Sequence, residues 1–378
     1  MPHIAIVFEF STLNGGERSM LAIMNALKTN AAYKFSAIAS AEGDLAAELF
    51  RLGIPIFPIA FRDEHGQKFP ATVLHENLLK QIRAAGPDLV HGNSLSMARL
   101  IGQLSAEDVQ VPRTGHLRDI IKLNRTVIRD LNANDRLVAV SEATRQFHVD
   151  QGLNPERSVS IYNGVDLQAF RQRDLNSRAH NVIADAPRHE KLLLCVGQIC
   201  LRKGQLVLAQ AVCQLLKQRD DIHLVIAGER HSAKPESIRY EAAIRQVFDE
   251  IGRPSRLHML GYRSDINKLM NAADMLVHAS HQEPFGRTLL EAAASGLPIV
   301  ATNVGGTQEM LRGGKDAILV EPDQPDQLAD AITQLLDVPG LAAAFADSAR
   351  QRVEQNFAIQ QAAENLAEFW TGATSRSQ

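Results

Sequence analysis

The chain has 378 residues, 45% of them hydrophobic and 22% charged, with a formal net charge of −3. That length is too great for one ordinary core and fits two domains. The composition is that of a globular protein, and the near-neutral balance excludes bulk nucleic-acid binding.

The opening MPHIAIVFEF lacks the basic start and long apolar core of a signal peptide and reads as a strand. In the first half, strands are predicted at 4–10, 35–40, 54–60, 87–92 and 135–141. Periodic segments at 16–28 and 71–85 read as helices between them. The polar stretch 171–190 has no clear period and reads as a linker. Strands then resume with KLLLCVGQ (191–198), IHLVIAGE (222–229), ADMLVHAS (273–280) and LPIVAT (297–302). This is βαβ grammar, so the expected fold class is α/β, with two doubly wound parallel-sheet domains. Ligands in such sheets bind outside the carboxyl ends of the strands, and the cleft between the domains is the expected site.

From about Leu341 to Trp370 the chain is Ala-rich and helical in period, interrupted at Asn356 and Phe357. The closing TGATSRSQ reads as disordered. No apolar run approaches the ~18 residues that span a bilayer, so any membrane contact is expected to be peripheral. Cys195, Cys200 and Cys213 fit no metal spacing, and an odd count without a disulfide pattern points to a reducing cytoplasm.

The stretch EPFGRTLLEAAASGLPIVATNVGGTQEM (283–310) carries the chemistry. Pro284 and Gly286 forbid a helix start before about Arg287, and good helix formers follow. Phe285 and Gly286 thus precede a helix N-terminus, where free N–H groups and the dipole favour a phosphate. Glu291, one turn inside, and Glu283, on the loop, are acceptors for neutral hydroxyls. A phosphate flanked by two such carboxylates describes a nucleotide sugar. A capping acid beside a solvated glutamate is the plainer alternative for either residue alone.

EPFGRTLLE resembles the E-x-F-G-x-x-x-x-E motif of retaining glycosyltransferases of the GT-B fold, family 4 (glycosyl transferases group 1). GLPIVATNVGGTQEM extends the match, and YNGVD, VGQICLRKG, LVIAGE and LGYRSDINKLMNAADMLVHAS follow the family's order of landmarks. The resemblance implies two Rossmann-like domains. Residues 1–170 would form the acceptor domain and 171–356 the donor domain, with a helix of about 357–378 packing back on the first. Glu283 would face the donor sugar's hydroxyls, with backbone near Phe285 and Gly286 assisting. Glu291 would hold the ribose, and the backbone at Thr288 and Leu289 would meet the diphosphate. Arg202 and Lys203, beyond the glycine turn at Gly197, match the basic pair that neutralises the leaving phosphate. Gln198 departs from the family's usual arginine, so Arg202 would carry more of the load. No Asp-x-Asp occurs, and no metal or other cofactor is expected.

In the first half, STLNGGERSMLAIMNAL (11–27) matches the family's glycine-rich loop before a helix, with Asn14 in place of one glycine. Asn tolerates a left-handed backbone, and Gly15 and Gly16 let main chain approach the diphosphate or the acceptor. An ordinary βα turn is the alternative, because the G-x-G-x-x-G dinucleotide spacing is missing. HGNS places His91 and Asn93 at the family's H-x-H or H-x-N landmark, as contacts to the sugar or acceptor. GHLRD resembles a further family landmark, which places His116 as a catalytic candidate at a strand end facing the cleft, with Arg118 beside it as a contact to the sugar or acceptor. Arg118, Lys122, Arg125 and Arg129 fall at helical spacing along 116–131. That stripe is either a solvated face or, as in this family, a surface for anionic lipid.

The function expected is transfer of a sugar, with retention, from a UDP- or GDP-type donor to a saccharide or lipid-linked acceptor of the cell envelope. The expected location is the cytoplasm or the inner face of its membrane. A phosphorylase or epimerase on the same fold, and a non-catalytic nucleotide-sugar-binding protein, are the rival readings.

Overall fold

The computed structural model describes residues 1–29, 33–171 and 190–375. The predicted linker falls almost wholly outside them. The chain divides into two compact units, one of residues 1–164 with 359–378 and one of residues 165–358. The division thus falls six residues before the expected 170, and the chain returns to the first unit at Ile359.

The first unit is a seven-stranded parallel sheet. In chain order its strands are β1 (His3–Val7), β2 (Lys34–Ala39), β3 (Ile56–Pro58), β4 (Leu89–Gly92), β5 (Arg113–Leu117), β6 (Arg136–Ala139) and β7 (Ser158–Ser160). The sheet order is β3-β2-β1-β4-β5-β6-β7, so the direction of winding reverses between β1 and β4. Helices α1 (Gly15–Thr29), α2 (Asp44–Arg51), α3 (Ala71–Ala85), α4 (Leu95–Gly102), α5 (Arg125–Asn132) and α6 (Glu142–Val149) make the crossovers. Ser94, Asn124 and Ser141 cap α4, α5 and α6, each accepting a backbone N–H three residues on.

The second unit has strands β8 (Lys191–Val196), β9 (Ile222–Ala227), β10 (Leu257–Met259), β11 (Met275–His278), β12 (Ile299–Thr302) and β13 (Ile318–Val320), in the order β10-β9-β8-β11-β12-β13. All pairings are parallel, and the winding reverses between β8 and β11. Its helices are α7 (Gln205–Leu215), α8 (Pro235–Glu250), α9 (Ile266–Ala272), α10 (Arg287–Ala294), α11 (Thr307–Met310), α12 (Pro325–Asp337) and α13 (Pro339–Asn356).

The final helix, α14 (Ile359–Thr374), belongs to the first unit. Leu366, Phe369 and Trp370 lie buried among side chains of β1, α1 and β2. Each contributes roughly 1.5–3 kcal/mol by leaving water, which explains why the helix docks. It also corrects the expectation of disorder from 371 onward, since the helix runs on through Thr374.

A second correction concerns 116–131. Strand β5 takes His116 and Leu117, a stretch without regular structure follows, and α5 begins only after the cap Asn124. The predicted basic stripe is therefore not one helical face. Arg118 turns into the unit's interior and Arg129 pairs with Asp130.

Candidate active site

In the second unit the loops leaving β8 and β11 meet. Gly204 has φ +63°, and a Cβ there would lie 1.9 Å from the Ala279 carbonyl oxygen. Only glycine allows that approach, which holds the turn 201–203 against the loop after β11. Lys203 Nζ lies 2.5 Å from Glu283 Oε2, with both side chains largely buried. The Lys203 stem runs over Gly197, which takes φ +149°. His278, at the end of β11, meets the same Glu283 oxygen through Nε2 at 2.8 Å, and Ser280 Oγ lies 2.9 Å from that nitrogen.

Burial alone would raise the Glu283 pKa. The Lys203 charge and the His278 hydrogen bond overcome it and hold the carboxyl well below its ordinary range. His278 is shifted down, by burial first and by the Lys203 charge second, so it is neutral and donates from Nε2. Glu283 is thus a fixed, ionised acceptor. Arg202 is exposed and donates from Nη1 to the Gln282 carbonyl at 3.0 Å, bringing a second cation to the same loop.

Helix α10 starts beside this group. Gly286 precedes it with φ +79°, and no side chain caps it. Phe285 packs its ring against Phe357, so only its backbone can serve a ligand. The Leu289 N–H already donates to the Gly286 carbonyl at 3.0 Å and its side chain is buried, which corrects its assignment as a phosphate contact. Thr288 fits better, because its buried Oγ1 has no partner among the described residues. Glu291 accepts from Arg287 Nη2 at 2.9 Å, an ion pair across one helical turn.

In the first unit the corresponding loops leave β1 and β4. Gly15 opens α1, whose N-terminal carbonyl comes from Asn14. Asn14 has no positive φ, so the left-handed turn expected of it is not made. A Cβ at Gly16 would come within 3.0 Å of the Arg118 stem. Arg118 donates from Nε to the Asn93 carbonyl and from Nη2 to Asn93 Oδ1, each at 2.9 Å, and from Nη1 to Asn163 Oδ1 at 3.2 Å. Asn93 is 1% exposed, yet its Nδ2 has no acceptor among the described residues.

His91 and His116 lie side by side on β4 and β5, with His91 Nε2 2.9 Å from His116 Nδ1. His91 Nδ1 faces Thr114 Oγ1 at 2.9 Å and Trp370 Nε1 at 3.2 Å. With no exposed surface and both ring nitrogens engaged, His91 is not a direct sugar contact, and it can act only through His116.

Glu283, Lys203, Arg202, Gly197, Phe285, Gly286, Thr288 and Glu291 thus gather at one switch point, and Gly15, Gly16, His91, Asn93, His116 and Arg118 at the other. Sequence reasoning missed His278, Ser280 and Trp370. His278 closes a strand five residues before Glu283, a signal available but not used; Trp370 carries no local signal. Among the described residues no three His, Cys, Asp or Glu side chains converge as metal ligands, and no single helix is long and apolar enough to cross a membrane.

Comparison with known proteins accords with this geometry. A family model described as glycosyl transferases group 1 matches residues 177–352, and one described as Glycosyltransferase Family 4 matches residues 13–169. The chain is 27% identical over 314 residues to the D-inositol 3-phosphate glycosyltransferase of Streptomyces scabiei, covering 76% of this chain and 68% of that protein. It is 30% identical over 210 residues to the lipopolysaccharide core biosynthesis mannosyltransferase LpsB of Rhizobium meliloti, covering 55% and 58% respectively. The match to LpsB therefore spans little more than half of that relative's length. The fold of Anabaena HepE, solved in complex with UDP and glucose, matches with a TM-score of 0.84 at 22% identity, over 98% of this chain and 100% of that one.

Proposed function

We propose a specific reaction for a chain that belongs to the family 4 glycosyltransferases (glycosyl transferases group 1) of the GT-B fold. It moves a sugar from a nucleotide-diphosphate donor to an acceptor hydroxyl, with retention and without a metal ion. The observation that carries this reading is the Lys203–Glu283–His278 group beside the uncapped N-terminus of α10.

The chemistry follows from charge. As the glycosidic bond breaks, the departing nucleoside diphosphate gains negative charge. Lys203, Arg202 and the first N–H groups of α10 are preorganised donors for that charge, and they do the work a divalent ion does elsewhere. Glu283, held ionised, accepts hydrogen bonds from hydroxyls of the donor sugar. Glu291, steered by Arg287, holds the ribose hydroxyls. No group is assigned as a nucleophile on the sugar. The acceptor oxygen attacks from the side the phosphate leaves, and that phosphate takes its proton.

In the first unit, His116 and Asn93 contact a sugar or acceptor oxygen, while Gly15 and Gly16 let α1 approach an anionic group. Two of the relatives point to different acceptors. LpsB favours a cell-envelope saccharide, and the inositol phosphate enzymes favour a small phosphorylated alcohol. We favour the envelope saccharide, assembled on the cytoplasmic side, where the free cysteines Cys195, Cys200 and Cys213 remain reduced. Anionic lipid is left out of the proposal, because the helical stripe that motivated it is not formed.

The test is nucleotide release from UDP-, GDP- and ADP-sugars in the presence of chelator. Slow hydrolysis of one donor supports the reading and identifies base and sugar together. Phosphate-dependent turnover would indicate a phosphorylase instead. Thermal stabilisation by a nucleotide without turnover on any acceptor would leave a binding protein.

A further inference from the structure

We propose that Trp370 fixes the proton positions of the His91–His116 pair, so that His116 presents Nε2 as a hydrogen-bond donor to a ligand oxygen. The proton positions follow from an atom that can play only one role. An indole N–H donates and never accepts. Trp370 Nε1 lies 3.2 Å from His91 Nδ1, so that nitrogen is the acceptor and carries no proton. The Thr114 hydroxyl, 2.9 Å from the same nitrogen, is compatible with this, since it can turn its single proton there.

His91 has no exposed surface and is kept neutral. Burial, and after it the Arg118 charge, pushes its pKa down to about 3. A neutral ring without a proton on Nδ1 carries it on Nε2. That N–H faces His116 Nδ1 at 2.9 Å, which must therefore accept. His116 is also buried and held neutral, by burial, then by Arg118, then by His91. Its own proton is left on Nε2, for which no described residue supplies an acceptor.

The same logic fixes Asn93. Its Oδ1 accepts from Arg118 Nη2, so the orphan atom is the N–H₂ group and cannot be the oxygen. The end of β4 and β5 thus offers two donors of fixed polarity. It suits a ligand oxygen with a free lone pair. Within the transferase reading, on which only the identity of that oxygen depends, His116 is a binding donor and not the base that removes the acceptor's proton. Trp370 and His91 are positioning residues.

The test uses the full chain without ligand, labelled with ¹⁵N in histidine and tryptophan. The single tryptophan gives one indole resonance. Two-bond ¹H–¹⁵N spectra are expected to show protons on Nε2 of both His91 and His116. Trp370→Phe keeps most of the ring and removes the donor. His91 Nδ1–H can then bond Thr114, and the pair reverses toward Nδ1 protonation. If Trp370→Phe does not fold, benzothienylalanine at 370 replaces N–H by sulfur at nearly constant volume.

A proton on His116 Nδ1 in the unaltered protein, or tautomers unmoved by either replacement, would overturn the proposal. In turnover, Trp370→Phe is expected to raise the acceptor KM roughly tenfold with kcat little changed, the loss of one hydrogen bond. An unchanged KM would remove the claim that Nε2 meets a ligand. Expected tautomers in a protein that turns over no donor would sink the transferase reading while leaving the Trp370 assignment in place.

Discussion

Lys203 Nζ and Glu283 Oε2 lie 2.5 Å apart, across 80 residues of sequence and from loops that leave the two adjacent central strands of their sheet. Each side chain is the other's main compensation for burial. Lys203 neutralises a buried carboxylate, and in the proposed reaction it also meets a phosphate, so mutation tests both tasks.

In the proposed reaction, Lys203→Ala removes a charge-assisted hydrogen bond to the leaving phosphate, and a roughly 10- to 100-fold loss in turnover is expected. It also strands Glu283, and breaking one side of a buried pair costs about 3–5 kcal/mol. Chemical denaturation should show that loss, and adding Glu283→Gln should restore part of it. Equal stability of Lys203→Ala and the unaltered chain would show that the pair is not coupled as described.

Gly204→Ala places a methyl group against the Ala279 carbonyl at a left-handed φ. Strain of about 1–3 kcal/mol is expected, with the loops forced apart and Lys203 displaced. Melting of the second unit and nucleotide titration report the two effects. An alanine variant that matches the parent in both would show that the close approach is dispensable.

Stability should fall on the acid side of neutrality. His91, His116 and His278 all have folded pKa values below the ordinary value near 6.5. Below about pH 6.5 the unfolded chain takes up protons that the folded chain refuses. Each such histidine then removes about 1.4 kcal/mol per pH unit, down to its folded pKa, about 3 for His91. Glu283, whose folded pKa is depressed, adds a further loss below about pH 4.3, the usual unfolded value. Urea melts from pH 7 to 4.5 measure the slope, and His91→Gln should make it shallower. An identical slope would place His91's proton uptake elsewhere.

Asn93→Asp keeps the partner of Arg118 and deletes the orphan Nδ2 donor. Stability is expected to hold or rise, while the acceptor KM rises roughly tenfold. If KM is unchanged and only stability moves, Asn93 is an element of the fold and not of the site.

Most central strands were legible because each lies in an apolar run closed by turn residues; β5 was not, because RTGHL holds a single large apolar residue. β7, β10 and β13 were not, since each is an edge strand of three residues, whereas β3, equally short and also at an edge, lies within the longer apolar run IPIFPIA. The string from Glu283 to Glu291 could be read because loop, helix start and both acids are contiguous. The Lys203–Glu283 distance could not, because it depends on a backbone approach at Gly204. The misplaced helix at 116–131 has a physical cause as well. Its 3.6-residue spacing was real, but His116 and Leu117 are claimed by β5 and Asn124 caps a later start.

The return of α14 to the first unit sets an order of events during synthesis. Residues 165–358 form a continuous stretch that can fold as soon as it emerges. The first unit's strands are made earlier, yet the ring that covers His91 is made only after the entire second unit. The second unit can therefore be complete while the first still waits for α14.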